Sequence, residues 1–329
     1  MDVNKLREIF FKDSIINLYM KIMITGGAGF VGSHLAEYLL KKRHKIVICT
    51  KTSVKNVECI RKKIELEKID VTNYTKLEKF IIKKKPDIII HLAGNTSHSK
   101  SFESPFNDLD SNTKSTLNIL EIIRKTLPKC KFILGSTFVV IGKPDKLPVN
   151  EQTACNPTTL YGVNRLSGEY YTKIYNQVYG INTNIFRITN SFGPKEQIIP
   201  NKNAINYLIH KAFKNEDITI YNEGKFFRDV IFISDVVNAI NQIIKKGKPG
   251  ELYWISSNKK TWFYQIGNEL EKLTKGKIKY VKQPKYTKKV DVGNFVVNNS
   301  KMKKLGWKPK VSVKEGIIET LKYFKENNM

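Results

Sequence analysis

The sequence predicts an α/β protein built on a doubly wound parallel sheet, followed by a smaller α/β domain towards the C-terminus. Three observations support this fold class. Short apolar stretches alternate with segments of helical periodicity over the first half of the chain. A glycine-rich turn follows the first apolar stretch, and the second half contains shorter, less regular elements. Strands that alternate with helices indicate a parallel sheet covered by helices on both faces.

Each element of the first half can be justified in chain order. A strand is predicted where several apolar residues are consecutive, and a helix where they recur every three or four positions. The expected strands are 21–25, 45–49, 64–70, 86–94, 131–136 and 182–189, and the expected helices run through Leu35, Leu39 and Leu40 and over 74–84, 116–127 and 158–179.

The predicted elements divide the chain into three parts. Residues 21–190 are expected to form a dinucleotide-binding domain of the Rossmann type, to which 230–256 return, and 191–329 to form mainly a substrate-binding domain. Residues 1–20 are expected to be an N-terminal extension. Because Met20-Lys21 resembles a natural start at the edge of the first strand, we expect the residues before it to be peripheral to catalysis.

The composition predicts a globular protein of the cytoplasm. Hydrophobic residues make up 41% and charged residues 26% of the chain, as in soluble domains. No apolar run reaches the roughly 18 residues that a membrane span needs. The first twenty residues contain three acids and no small-residue cleavage site follows them, which argues against a secretory signal. Reduced thiols and no metal site are expected from the four cysteines, which lack ligand spacing: Cys49, Cys59, Cys130 and Cys155.

A formal net charge of +27 raises the question of nucleic-acid binding. The lysines are spread along the whole chain, and neither an aromatic-basic RNA-binding motif nor zinc-finger spacing occurs. A general residue bias explains the charge more simply, so nucleic acid is not the expected partner. The positive field instead favours anionic small-molecule ligands.

The glycine-rich turn "TGGAGFVG", residues 25–32, predicts a dinucleotide site. It follows the first strand and opens the first helix, which is the context in which this pattern is specific. Gly26, Gly29 and Gly32 keep the turn tight and let the backbone approach a pyrophosphate, which then faces the helix N-terminus.

The end of the second strand indicates which dinucleotide binds. An acid there would accept from the ribose 2′-hydroxyl of NAD, but the sequence has Thr50 and Lys51. A cation and hydroxyls suit a 2′-phosphate, so the cofactor is predicted to be NAD(P) with a preference for NADP. Asp70, after the third strand, is positioned to accept from the adenine amino group.

Further motifs occur in a fixed order. They are "HLAG" (91–94), Asn112, "STFVVIG" (136–142), Tyr161, "RITNSFGP" (187–194), "FFRDVIFISDVVNAI" (226–240) and "NSKMKKLGWKP" (299–309). With the glycine turn and Asp70, they resemble the extended short-chain dehydrogenases/reductases, and more narrowly the NAD(P)-dependent nucleotide-sugar epimerase/dehydratase family. The resemblance covers residue 21 to the C-terminus. It implies a sugar site in a cleft between two domains. It also implies that the cofactor is contacted by the glycine turn, the strand ends and the helix of Tyr161, namely by Gly26, Gly29, Phe30, Val31, Gly32, Thr50, Lys51, Asp70, Val71, Leu92, Ala93, Gly94, Tyr161 and Arg165.

The resemblance implies that Tyr161 is the acid/base group. A free phenol, with a pKa of about 10, is a poor base at neutral pH, and a fixed cation stabilises the phenolate. One helical turn after the tyrosine the family has lysine, whereas this chain has Arg165. Only seven of its 57 basic residues are arginines, so this placement indicates that a guanidinium is tolerated or useful. Thr137 occupies the family's Ser/Thr position, which hydrogen-bonds the reacting oxygen.

The remaining substrate contacts carry over more loosely. Asn190 is expected beside the substrate's phosphates or sugar, and Arg228 on the diphosphate, which a guanidinium binds well. Where the family often has a second arginine, this chain has Lys288. His98 is a candidate for the wall of the sugar pocket, and an ordinary surface histidine is the alternative.

The residues after Thr137 bear on the reaction. The 4,6-dehydratase members have acids there, but this chain has Phe138 and Val139, which cannot transfer a proton. The first interpretation is 4-epimerisation of a nucleotide sugar, because the substrate-domain motifs resemble those of the epimerases; the resemblance also implies a UDP-linked substrate and a homodimer. NADPH-dependent reduction of a 4-keto sugar nucleotide remains as an alternative because the second strand ends without an acid. A catalytically silent sensor of dinucleotides or nucleotide sugars is the third, because Arg165 departs from the family.

Overall fold

The computed structural model describes residues 19–51, 53–199 and 204–329. The predicted N-terminal extension lies almost wholly outside the described residues. Thirteen strands occur within the described ranges: β1 (Lys21–Thr25), β2 (Lys45–Thr50), β3 (Glu65–Lys68), β4 (Ile88–His91), β5 (Lys131–Thr137), β6 (Thr183–Ile188), β7 (Asn190–Phe192), β8 (Ile218–Tyr221), β9 (Phe227–Arg228), β10 (Val230–Phe232), β11 (Leu252–Ile255), β12 (Thr261–Trp262) and β13 (Ile278–Val281).

The helices alternate with the strands of the first half and become shorter afterwards. A π-helical turn at Asp110–Lys114 and a 3₁₀ turn at Phe138–Ile141 border the cleft described below. The α-helices of the described residues are α1 (Phe30–Lys41), α2 (Tyr74–Lys84), α3 (His98–Glu103), α4 (Pro105–Leu109), α5 (Ser115–Thr126), α6 (Leu160–Tyr179), α7 (Ala204–Phe213), α8 (Ile233–Lys246), α9 (Phe263–Leu273), α10 (Lys285–Val290), α11 (Ser300–Lys304) and α12 (Val313–Glu326).

Seven strands form one parallel sheet in the order β11-β6-β5-β4-β1-β2-β3. The chain winds outwards from β1 in both directions, and the order reverses between β1 and β4. Helices cover both faces, with α1 against α8 on one and α2, α5 and α6 packed together on the other. Along β1, Ile22 and Ile24 join the first core while Met23 joins the second. A parallel sheet buried on both faces is what the continuous apolar strands predict, and the predicted fold class is confirmed.

Two strands are clearly shorter than predicted, and β6, Thr183–Ile188 rather than 182–189, is one residue shorter at each end. The third covers Glu65–Lys68 rather than 64–70, and the fourth Ile88–His91 rather than 86–94. Beyond their ends the chain turns away from the sheet. Asp70 accepts hydrogen bonds from its own turn, and Gly94 has a φ of +156°, which is incompatible with a strand. These turns border the cleft.

The second half forms three small two-stranded sheets. They pair β7 with β10 and β8 with β13 in parallel, and β9 with β12 in antiparallel fashion. The segment 230–256, expected to return to the first domain, contains β11, which is the edge strand beside β6. The exact division into domains stays a prediction. Within the described ranges no helix is long and apolar enough to cross a bilayer.

Candidate active site

A cleft of about 2210 Å³ lies at the carboxyl ends of the central strands. Its lining includes the glycine turn, the ends of β2 and β5, the N-terminal part of α6, and residues of the smaller sheets. The point where strand order reverses in a doubly wound sheet is where ligands bind. The cleft therefore brings together the predicted cofactor, catalytic and substrate residues, with one exception described below.

At two positions of the glycine turn, Gly26 and Gly32, the packing leaves no room for a side chain. Gly26 has a φ of +68°, and a Cβ on it would lie 2.8 Å from the backbone nitrogen of Ala93. A Cβ on Gly32 would lie 2.5 Å from the carbonyl oxygen of Gly26. The N-terminus of the 12-residue helix α1 has no side-chain cap at Gly29. This bare helix end at a closely approached backbone fits the pyrophosphate of a dinucleotide.

Lys51 and Asp70 are joined where the cleft borders the ends of β2 and β3. The Lys51 Nζ lies 2.9 Å from an Asp70 carboxylate oxygen, although the Lys51 side chain is 63% exposed. Burial alone would raise the pKa of Asp70, but hydrogen bonds from Thr72 and Lys51 outweigh it and hold that pKa below its ordinary value. Thr50 is buried beside them. The sequence assigned separate roles to the two residues and did not reveal this ion pair.

Tyr161 is held at the start of α6. The Thr159 hydroxyl caps the helix by accepting from the Gly162 N–H at 3.0 Å, and Tyr161 is only 6% exposed. Burial raises the pKa of its phenol, while the charge of Arg165 and a hydrogen bond with Thr137 lower that pKa; the net direction is upwards. The predicted tyrosine and threonine are thus in direct contact.

Arg165 lies beneath Tyr161 with few partners. Its side chain is buried, and its Nη1 donates to the Asn112 Oδ1 at a long 3.4 Å. The Nε makes no hydrogen bond within the described part of the chain. A guanidinium remains charged under all ordinary conditions, so a fixed positive charge lies near the phenol.

His98 and the 3₁₀ turn border the cleft beside Tyr161. The His98 ring meets the Tyr161 ring edge-on, with centroids 5.4 Å apart, and its burial lowers its pKa, so that the neutral form is favoured. Phe138 and Val139 are apolar members of the lining. Asn190 also lines the cleft and donates to the Asp229 carbonyl oxygen at 3.3 Å.

The far end of the cleft contains an ion pair that the sequence did not predict. An Arg228 Nη2 lies 2.5 Å from an Asp291 carboxylate oxygen, and the guanidinium lies over the Phe226 ring. Lys288 is the exception among the predicted residues, because it is exposed on α10 and does not belong to the lining. Its predicted substrate contact stays a prediction.

Comparison with known proteins decides the family. A protein-family model described as GDP-mannose 4,6 dehydratase matches residues 23–320. The chain belongs to this family. The resemblance to the extended short-chain dehydrogenases/reductases is thereby confirmed, and the protein is an enzyme of the nucleotide-sugar epimerase/dehydratase class.

The relatives of this family member are named for different activities, epimerisation and dehydration among them. A protein of Methanocaldococcus jannaschii named as a putative UDP-glucose 4-epimerase is 32% identical, over 93% of this chain and 99% of its own length. The Thermotoga maritima UDP-glucose 4-epimerase, solved with UDP-glucose, is 26% identical with a TM-score of 0.87, over 94% and 100%. The Bacillus anthracis dTDP-glucose 4,6-dehydratase, solved with NAD, is also 26% identical with a TM-score of 0.82, over 94% and 97%.

The most informative residue that sequence reasoning missed in this family member is Asp108. It is 1% exposed, and it is surrounded by asparagine amides next to Arg165, as described below. Its segment was not predicted to be helical, since α3, α4 and the π-helical turn are too short to have a clear period. A lone acid between Phe106 and Leu109 offers no sequence signal of its own.

Proposed function

We propose that the protein is a nucleotide-sugar 4-epimerase that works by transient oxidation at C4 and reduction from the opposite face. The observation that carries this proposal is the immediate neighbourhood of Tyr161. A buried phenol contacts Thr137 and lies near a fixed cation, Arg165. The two positions that follow Thr137 are the apolar Phe138 and Val139. The site has an acid/base group for a hydroxyl and lacks carboxyls where dehydration would use them.

The residues of the chain would move one proton out and back. The Tyr161 phenolate accepts the proton of the C4 hydroxyl. The phenol returns this proton after the 4-keto sugar has rotated to present its opposite face. Arg165 stabilises the phenolate in between, and the Thr137 hydroxyl can donate a hydrogen bond to the reacting oxygen. NAD(P), when bound, supplies the reversible acceptor for the hydride. The tight glycine turn and the bare end of α1 would hold its pyrophosphate.

We infer that NADP(H) binds at least as tightly as NAD(H). No acid stands at the end of β2, and the largely exposed Lys51 lines the cleft there. Its ion pair with Asp70 would have to loosen or to share Lys51 with a 2′-phosphate. Calorimetry tests this: Lys51→Glu should reverse the preference, and clearly tighter NAD binding by the wild type contradicts the inference.

The proposed substrate is UDP-linked. The two epimerase relatives are named for UDP-glucose. Arg228 and Asp291 face the cleft at the end away from the glycine turn, where the guanidinium could bind the diphosphate. We also propose a homodimer, which light scattering of the purified protein can test.

Incubation with a panel of nucleotide sugars tests the reaction. After identification of any co-purifying cofactor by mass spectrometry, an epimerase interconverts a pair of 4-epimers, such as UDP-glucose and UDP-galactose, without net consumption of cofactor. Stoichiometric oxidation of NADPH by a 4-keto sugar, with no epimer formed, would favour the reductase instead. Binding of cofactor and sugar nucleotide without any turnover would favour a sensor.

A further inference from the structure

Asp108 is a buried acid whose hydrogen-bond donors are neutral amides. It is 1% exposed and lies on the short helix α4. Its Oδ1 accepts from the side-chain nitrogens of Asn95 at 2.7 Å and Asn112 at 3.0 Å. Its Oδ2 accepts from Asn164 at 2.7 Å. A buried carboxylate needs several donors to offset its lost hydration, and these three come from three different segments around the cleft.

The carboxylate determines which way each amide faces. An ionised carboxylate only accepts hydrogen bonds, so each asparagine must turn its NH₂ towards it and its carbonyl oxygen away. The freed Asn112 oxygen accepts from Arg165 Nη1. A reversed Asn112 would direct its own NH₂ at the guanidinium. Asp108 thereby selects the Asn112 orientation that Arg165 can use.

Two backbone features hold Asn112 at this position. The π-helical turn Asp110–Lys114 interrupts the helical run between α4 and α5 at Asn112, and such turns often occur at functional sites. Gly94 approaches from the other side. A Cβ there would lie 2.3 Å from the Asn112 Oδ1 and 3.2 Å from the Arg165 Nη1, so the carbonyl oxygen and the guanidinium are confined.

We propose that Asp108 is a positioning residue with two separable effects on the reaction. Through Asn112 it fixes the guanidinium of Arg165, and its own negative charge opposes ionisation of Tyr161. The proposal rests on the proposed function in that it takes Tyr161 as the acid/base group. The two effects act in opposite directions on the phenol, because a fixed cation favours the phenolate and a nearby anion disfavours it.

Other charged groups near the phenol must be held constant in any test. They lie on α6 and on several of the elements that pack against it. Arg165 lies on the same helix, Asp108 on α4, His98 on α3 and His91 at the end of β4; Asp110 and Lys114 pair with each other on the π-helical turn, and Glu169 pairs with Arg187 deeper in the core.

Three variants separate the two effects. Asp108→Asn removes the charge but keeps an oxygen for Asn95 and Asn112, so only the Asn164 amide must turn over. Asn112→Ala removes the link to Arg165 and leaves the charge. Asp108→Ala removes both. Glu121→Gln is the matched control, since Glu121 accepts from Arg124 and Tyr175 on α5 and α6 and does not line the cleft.

Turnover against pH is the first readout. In Asp108→Asn the rise of the rate with pH should move to lower pH, with a plateau kcat close to the wild type. In Asn112→Ala the rise should move to higher pH, and the plateau should fall by about tenfold, since small misplacements of catalytic groups cost up to about 10²-fold. The double variant Asp108→Ala/Asn112→Ala should be no slower than the slower single variant. Glu121→Gln should match the wild type.

The ionisation of Tyr161 in the free protein is the second readout. It can be followed by NMR of ¹³Cζ-tyrosine, with Tyr161→Phe to assign the signal, and it needs no turnover. The pKa should fall in Asp108→Asn and rise in Asn112→Ala. Unchanged titration in both variants overturns the proposal even if the protein is an epimerase. The predicted opposite shifts uphold it even if no nucleotide sugar is converted, in which case only the proposed function fails. If Asp108→Ala does not fold, the other two variants still decide.

Discussion

Two buried arginines, Arg165 on α6 and Arg187 on β6, are differently paired. Arg187 donates from Nε and Nη2 to the two carboxylate oxygens of Glu169 at 2.9 and 2.7 Å, and the Ser136 hydroxyl donates to the same carboxylate at 2.5 Å. Arg165, one helical turn before Glu169, has a single hydrogen bond within the described residues, to an amide oxygen at 3.4 Å. One charge is neutralised within the core, and the other remains available at the cleft.

The difference indicates which arginine is structural and which is functional. A bidentate carboxylate neutralises the charge of a buried guanidinium, so the charge of Arg187 needs no ligand, although its Nη1 makes no hydrogen bond within the described residues. A buried cation without a carboxylate is unfavourable, and such local conflicts are expected at functional sites. The positive charge of Arg165 would be compensated by the negative charge of the Tyr161 phenolate when that phenolate forms. We therefore expect the arginine in the lysine position to belong to a working site.

Loss of the phenol should have the largest effect. Tyr161→Phe removes the proton acceptor but keeps the aromatic ring against His98. A positioned acid/base group contributes about 10²–10⁴-fold, and we expect kcat to fall by that amount with cofactor binding retained. A coupled assay with UDP-galactose measures it, and a fluorescence titration checks the cofactor. Wild-type turnover in this variant would refute the acid/base assignment.

Breaking the neutralised pair should instead affect stability. Glu169→Gln leaves the buried Arg187 without its carboxylate, which costs about 3–5 kcal/mol of unfolding free energy. The exposed pair of Lys279 and Asp217 offers a control, because Asp217→Asn should cost no more than about 1 kcal/mol. Urea unfolding followed by circular dichroism measures both. Equal losses in the two variants would remove the distinction between a buried and an exposed pair.

A smaller effect concerns acid stability. His91 is fully buried between the hydroxyls of Thr25 and Ser115, and burial, with a contribution from Arg165, lowers its pKa from 6.5 to about 3. The folded state therefore favours the neutral form of the His91 ring. The stability this gives is present above pH 6.5 and is lost as the pH falls towards 3, since the unfolded chain takes up the proton.

The acid effect is tested by comparing how steeply the melting temperature falls with pH in the wild type and in a His91 variant. Many carboxylates also titrate in this window, so the melting temperature of the wild type should be compared with that of His91→Asn between pH 7 and 4. The variant should be less stable at pH 7 but should lose less on acidification. Parallel curves would mean that His91 does not contribute to the pH dependence.

The sequence anticipated the features that depend on local spacing. The glycine turn and the pair of Tyr161 and Arg165 lie within single segments, where one period or one motif positions every member. The ion pair of Arg228 and Asp291 joins residues that are 63 positions apart in the sequence. The hydrogen bond from Asn164 to Asp108 joins residues that are 56 positions apart. Such contacts depend on how distant segments pack against each other, and the spacing of residues within one segment does not predict that packing. The short strands of the second half were unpredictable for the same reason, because each pairs with a distant segment.

The central claim is that the charge of Arg165, which has no ion-pair partner in the described part of the chain, serves Tyr161. The most direct test is turnover against pH for the wild type, Arg165→Lys and Arg165→Met. Because burial raises the pKa of Tyr161, the wild-type rate should rise with pH into the alkaline range. Arg165→Lys should keep or exceed this activity and reach its limit at lower pH, since a compact ammonium can lie closer to the phenol, while Arg165→Met should lose most of it. If Arg165→Met turns over as fast as the wild type with the same pH profile, the charge of Arg165 has no role in the reaction and the account is wrong.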